Sequence, residues 1–132
     1  MSRDYNVLLI EDNPGDARLL ELTLKKVADK HHSEIHFHTR WVNLLETGIQ
    51  HAGLYDYDII FLDLSLPDSD GLNSIDSVVA ESKSVPVLVL TGMMDTSFYD
   101  DVLDHGAQGY LVKGDLNADH LFLALKSTIT GF

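Results

Sequence analysis

Ile59-Ile60-Phe61-Leu62-Asp63 is the stretch that decides the fold. Its first four residues are apolar without alternation, so the segment reads as a strand covered on both faces, and it stops on an acid. The loop Ser65-Leu66-Pro67-Asp68-Ser69-Asp70-Gly71 follows, rich in turn formers, and leads into Leu72, Ile75, Val78 and Val79 at helical spacing. A fully apolar strand followed by an amphipathic helix is half of a parallel crossover unit.

Working outward from that unit, the same rhythm recurs. Val7-Leu8-Leu9-Ile10 is an apolar run that ends at Glu11-Asp12. Pro14 then stands where a first-turn helix proline belongs, before Ala17, Leu20, Leu24, Val27 and Ala28. Ile35 and Phe37 alternate with His36 and His38, as in a strand with unequal faces. Leu44, Leu45 and Ile49 predict a second helix ending near Gly53. Val87-Leu88-Val89-Leu90 ends at Thr91, and a helix with Phe98, Val102 and Leu103 closes at Gly106. Gly109-Tyr110-Leu111-Val112 ends at Lys113, and Leu121, Phe122, Leu125 and Ile129 mark the last helix. Five strands alternating with five helices predict an α/β domain whose right-handed crossovers build a doubly wound parallel sandwich.

At 132 residues the chain is expected to form one domain over 1–132, since 45% hydrophobic and 23% charged residues suit a single packed core. No apolar run is long enough to cross a bilayer, and Met1-Ser2-Arg3-Asp4-Tyr5 lacks a signal-peptide core, so a cytoplasmic location is expected. The sequence has no cysteine, which excludes a disulfide scaffold and a thiol nucleophile. A formal charge of -12 repels nucleic acid and anionic lipid. A metal cation or a partner with a basic docking face fits that surface better.

Ligands of such folds bind at the carboxyl ends of the strands, and there four strands end in chemistry: Glu11 and Asp12, Asp63, Thr91, and Lys113. The second strand, with Thr39 and Arg40, offers nothing comparable and is placed at the sheet edge. Clustered carboxylates repel unless a cation shares the site, and Mg²⁺ with its oxygen ligands is the expected cofactor. Lys113 and the Thr91 hydroxyl can meet phosphate oxygens, which leaves Asp63 as a carboxylate nucleophile able to form an aspartyl phosphate. Plainer readings stand beside these. An acid pair before Pro14 can serve helix capping, Lys113 can be a surface lysine, and Tyr110 can be core packing.

Taken together, Leu9-Ile10-Glu11-Asp12-Asn13, Phe61 to Leu72, Val89-Leu90-Thr91-Gly92 and Gly106 to Lys113 resemble the receiver domains of bacterial response regulators. The resemblance runs over essentially the whole chain. It implies a flavodoxin-like (βα)5 sandwich of strand order 2-1-3-4-5, acting in a two-component phosphorelay. A sensor histidine kinase or histidine phosphotransfer protein would donate to Asp63, with Asp12 as direct Mg²⁺ ligand, Glu11 acting through water and the Ser65 carbonyl as third ligand. Thr91 and Tyr110 would be a switch pair altering the surface of the fourth helix, fifth strand and fifth helix, where an output domain, a downstream protein or a second copy would dock. Such a domain catalyses its own phosphorylation and dephosphorylation and is not a metabolic enzyme. The family usually carries proline after the lysine, often with a cis bond, whereas Gly114 stands here. The alternative is therefore a receiver-like scaffold that works without phosphorylation.

Two rival chemistries fail on residues. A haloacid-dehalogenase-type phosphatase wants a second aspartate two residues after the nucleophile, where Ser65 stands. A flavodoxin-like carrier of FMN would find its phosphate repelled by Glu11-Asp12. His31, His32, His36 and His38 raise a transition-metal reading, although polar residues on an exposed strand face account for them as well.

Overall fold

Leu8, Leu9, Ile10, Ile59, Ile60, Phe61 and Leu62 are wholly enclosed, because the two strands that carry them lie in the middle of a parallel sheet with helices on both sides. The computed structural model describes residues 2–30, 34–92 and 96–132. Its elements are β1 (Arg3–Ile10), α1 (Pro14–Lys30), β2 (Ile35–Val42), α2 (Leu45–Leu54), β3 (Ile59–Asp63), α3 (Asn73–Ser82), β4 (Val87–Thr91), α4 (Thr96–Asp104), β5 (Gly109–Val112) and α5 (Ala118–Thr128). A short 3-10 turn, Lys113–Asp115, joins β5 to α5. The sheet order is β2-β1-β3-β4-β5 with every pairing parallel, as expected.

Alternation along the strands divides the core in two. Leu8, Ile10, Ile60, Leu62, Val87 and Val89 point to the side covered by α2, α3 and α4. Val7, Leu9, Ile59, Phe61, Leu88 and Leu90 point to the side covered by α1 and α5. Full burial of a side chain such as Phe61 contributes about 2–3 kcal/mol, so each face is a substantial core.

Three local details depart from the sequence reading or refine it. Leu44 is not part of the α2 core stripe: it occupies the N-cap position and is 40% exposed. The cap is supplied from elsewhere, by the Asp68 carboxylate, which accepts the Leu45 and Glu46 N–H groups at 2.7 and 3.0 Å. Leu72 likewise precedes α3 at its N-cap position instead of lying within it. Gly106 follows α4 with φ of +103°, the left-handed conformation that ends a helix and favours glycine.

Candidate functional site

The same alternation that sorts the core aims the chemistry. Glu11 continues β1 in step with Val7 and Leu9, held by its N–H to the Val42 carbonyl at 3.0 Å. Asp63 continues β3 in step with Ile59 and Phe61, and Lys113 comes one residue after Val112. All three therefore turn toward the α1 side at the carboxyl edge of the sheet. Lys113 Nζ lies 2.7 Å from Glu11 Oε1, 2.9 Å from Asp16 Oδ2 and 3.0 Å from Asp63 Oδ2. Asp63 is 1% exposed, and its other oxygen accepts both the Ser65 N–H and the Ser65 hydroxyl at 2.9 Å.

Glu11, Asp12 and Asp63 each bring a carboxylate oxygen to within 4.8 Å of the others, the only such group of potential metal ligands among the described residues. Glu11 is fully enclosed, and its Oε1, though near the lysine charge, has no aligned hydrogen-bond donor. Burial, then the neighbouring Asp63 carboxylate, push the Glu11 carboxyl up to about 7, against the pull of Lys113. Burial also works to raise Asp63, but its bonds to Glu11, Ser65 and Lys113 outweigh it and hold the group below its ordinary value. Burial works to lower Lys113, and the carboxylates of Glu11, Asp16 and Asp63 around its ammonium reverse that and raise it. The cluster thus holds a surplus of negative charge around one ammonium, with a buried oxygen unsatisfied. A hard dication with oxygen ligands fits that deficit, and the residues present are of the right kind to hold one.

Glu11 and Asp12 are not needed to cap α1. Asn13 does that, its side-chain oxygen accepting the Asp16 N–H at 3.0 Å. Trp41 closes the β2 side: its indole N–H donates to the Glu11 carbonyl at 2.6 Å. Thr91 sits at the end of β4 opposite Val112, and Tyr110 lies opposite Val89, so the two share the α3–α4 face of the sheet. Tyr110 is half-buried, and its ring meets that of Tyr99 edge-on at 4.9 Å. Strand alternation thus separates this pair from the lysine and the buried acids, although all lie at one edge of the fold.

The structure therefore brings together Glu11, Asp12, Asp63 and Lys113, with Ser65 against Asp63, Thr91 at the same edge and Tyr110 set back. Asp16 was not singled out in the sequence; its only signal was being the acid in the first turn of α1. The Lys113–Gly114 peptide is trans, and the lysine still reaches Asp63. Among the described residues no histidine belongs to a group of potential metal ligands: His38 Nε2 pairs with Asp4 at 2.8 Å and no third ligand joins them, while His31 and His32 lie outside the described residues.

A doubly wound parallel sandwich with buried acids and a lysine at its carboxyl edge has its polar groups where folds of this class bind ligands. The model of the response regulator receiver domain matches residues 7–126, and the chain belongs to that family. It is 37% identical over 107 residues to the cell cycle response regulator CtrA of Brucella ovis, which covers 81% of this chain and 43% of that protein. The chain therefore spans less than half the length of the curated relatives it matches. The receiver domain of a Pseudomonas aeruginosa sensor histidine kinase, solved with magnesium in its active-site cleft, superposes with a TM-score of 0.76 at 24% identity, covering 94% of this chain and 96% of that one. A Burkholderia pseudomallei response regulator with a phosphorylated aspartic acid superposes with a TM-score of 0.71 at 25% identity, covering 93% of this chain and 67% of that one. Among the described residues no helix is long and apolar enough to cross a membrane.

Proposed function

We propose that Asp63 accepts a phosphoryl group and that the whole chain, residues 1–132, works as one receiver unit of a two-component system. The observation that carries this reading is the state of Asp63: enclosed, held below the ordinary carboxylate range, and addressed by Ser65 on one oxygen and Lys113 on the other. An ionised carboxylate needs no general base. One of its oxygens attacks phosphorus, the bond from phosphorus to the donor breaks, and the donor leaves as acetate from acetyl phosphate or as imidazole from a phosphohistidine.

Asp12 and Asp63 would hold Mg²⁺ directly, with the Ser65 carbonyl as third ligand and Glu11 through water. Bound there, the ion supplies positive charge that offsets the acids and the phosphoryl oxygens. Lys113 then neutralises one phosphoryl oxygen while the Thr91 hydroxyl donates to another. Movement of Thr91 toward the new group frees space on the α3–α4 face for the Tyr110 ring, which alters the α4–β5–α5 surface. A sensor histidine kinase or histidine phosphotransfer protein is the donor in this reading. An output segment, a downstream protein or a second copy is the reader, in the cytoplasm. The scaffold reading that Gly114 raised has no support in the geometry, because Lys113 reaches Asp63 across a trans peptide.

Intact-protein mass after incubation with acetyl phosphate and Mg²⁺ tests the proposal, run beside Asp63→Asn. A single labile phosphate on the parent and none on the variant is expected. Equal incorporation in both would remove Asp63 from the role.

A further inference from the structure

We infer that Asp16 is a positioning residue, a standing counter-ion that keeps Lys113 over the phosphorylation site while the lysine's other partners change. The inference rests on the reading of Asp63 as phosphoacceptor. Of the three carboxylates within 3.0 Å of Lys113 Nζ, Glu11 and Asp63 belong to the candidate metal cluster, and Asp63 is also the group to be esterified. Both are drawn into new bonds as the cycle proceeds. Asp16 lies outside that cluster, so its hold on Lys113 is the one that metal binding and phosphorylation leave in place.

Strand alternation sends Lys113 to the α1 side of the sheet, but it does not fix where the end of its long side chain rests. Lys113 opens a short 3-10 turn, and next to it Gly114 is exposed with nothing within 4 Å of where a Cβ would stand. A lysine side chain has many rotamers open to it, so its direction depends on what its ammonium touches. Asp16, by contrast, stands on a fixed platform. Its N–H is bonded to the Asn13 cap at 3.0 Å, and the next residues of α1 toward the sheet, Ala17 and Leu20, are 1% exposed.

Removing Asp16 has two opposite consequences. As a plain change of charge, Asp16→Asn makes the site less negative and should speed attack on an anionic donor. As loss of a tether, it lets Lys113 wander and should slow it. Partly exposed pairs of this kind contribute about 0.2–1 kcal/mol, equivalent to a rate change of up to about fivefold. The tether predicts that the maximal rate of phosphorylation by acetyl phosphate falls about three- to fivefold in Asp16→Asn, with the half-saturating Mg²⁺ concentration unchanged. It further predicts that the loss vanishes in a Lys113→Met background.

A spectroscopic readout works without turnover. In lysine-labelled protein with Mg²⁺ present, the two Hε protons of Lys113 should be inequivalent in the parent and averaged in Asp16→Asn. A variant phosphorylated as fast as the parent or faster, a loss that persists without Lys113, or Hε signals that do not change would each overturn the inference. In those cases a normally phosphorylated parent leaves the Asp63 reading standing. A parent that takes no phosphate removes both.

Discussion

Among the described residues Lys113 is the positive charge set among Glu11, Asp16 and Asp63, and two of those acids are almost completely buried. Replacing it by methionine keeps the stem and leaves Glu11 and Asp63 without their cation. Breaking a buried pair in this way typically costs about 3–5 kcal/mol, so Lys113→Met should be markedly less stable without metal. Mg²⁺ should restore more stability to the variant than to the parent, which urea unfolding with and without the ion would measure. An equal gain in both would mean the acids and the ion do not share the site. Trp41, the only tryptophan in the sequence, bonds to the Glu11 carbonyl beside Asp12. Its emission should therefore change when Mg²⁺ is added and stay constant in Asp12→Asn. At this scale the sequence was informative about identity and not about pairing. Residues 11, 12, 63, 91 and 113 stood out because each ends an apolar run. Asp16 did not, because an acid in a first helical turn has an ordinary explanation in the helix dipole.

Helix α2 shows what a local reading cannot see. Its apolar start, Leu44-Leu45, contains no capping side chain, and the two leucines look alike until Asp68 arrives from the loop after β3. That carboxylate both starts the helix and ties down the loop that carries Ser65. Burial works to raise Asp68, but the N–H groups of Leu45 and Glu46 together prevail and lower it. Because its folded-state value is depressed, the stabilisation is present above the ordinary value of 3.8 and is lost as pH falls through the lowered one. Asp68→Ala should cost about 1 kcal/mol at neutral pH, and the difference between parent and variant should close in acid. A gap that stays constant down to pH 2 would count against the cap. The approach of α2 to the sheet is equally tight. A Cβ on Gly48 would run into Cδ1 and Cγ1 of the fully buried Ile10, so Gly48→Ala should destabilise by about 1–3 kcal/mol although alanine is the better helix former. Thermal melting would check the sign.

For the molecule as a whole, the layer architecture was legible because apolar runs without alternation admit few arrangements other than a parallel sheet covered on both sides, whereas the strand order followed only from the resemblance to receiver domains. Element edges were less so, since Leu44 and Leu72 fit a helical stripe by spacing yet lie at N-cap positions. The partition of side chains between the two faces has a further meaning. Glu11, Asp63 and Lys113 turn to the α1–α5 face, whereas Thr91 and Tyr110 follow Val89 on the other. Under the proposed function the sheet would be a wall between a chemical compartment and a mechanical one, with only the strand ends in common. Substitutions behind the wall on the α1 side should alter how long a signal lasts, and those on the α4 side how loudly it is heard. A drifting lineage could retune its timing without rewriting its vocabulary.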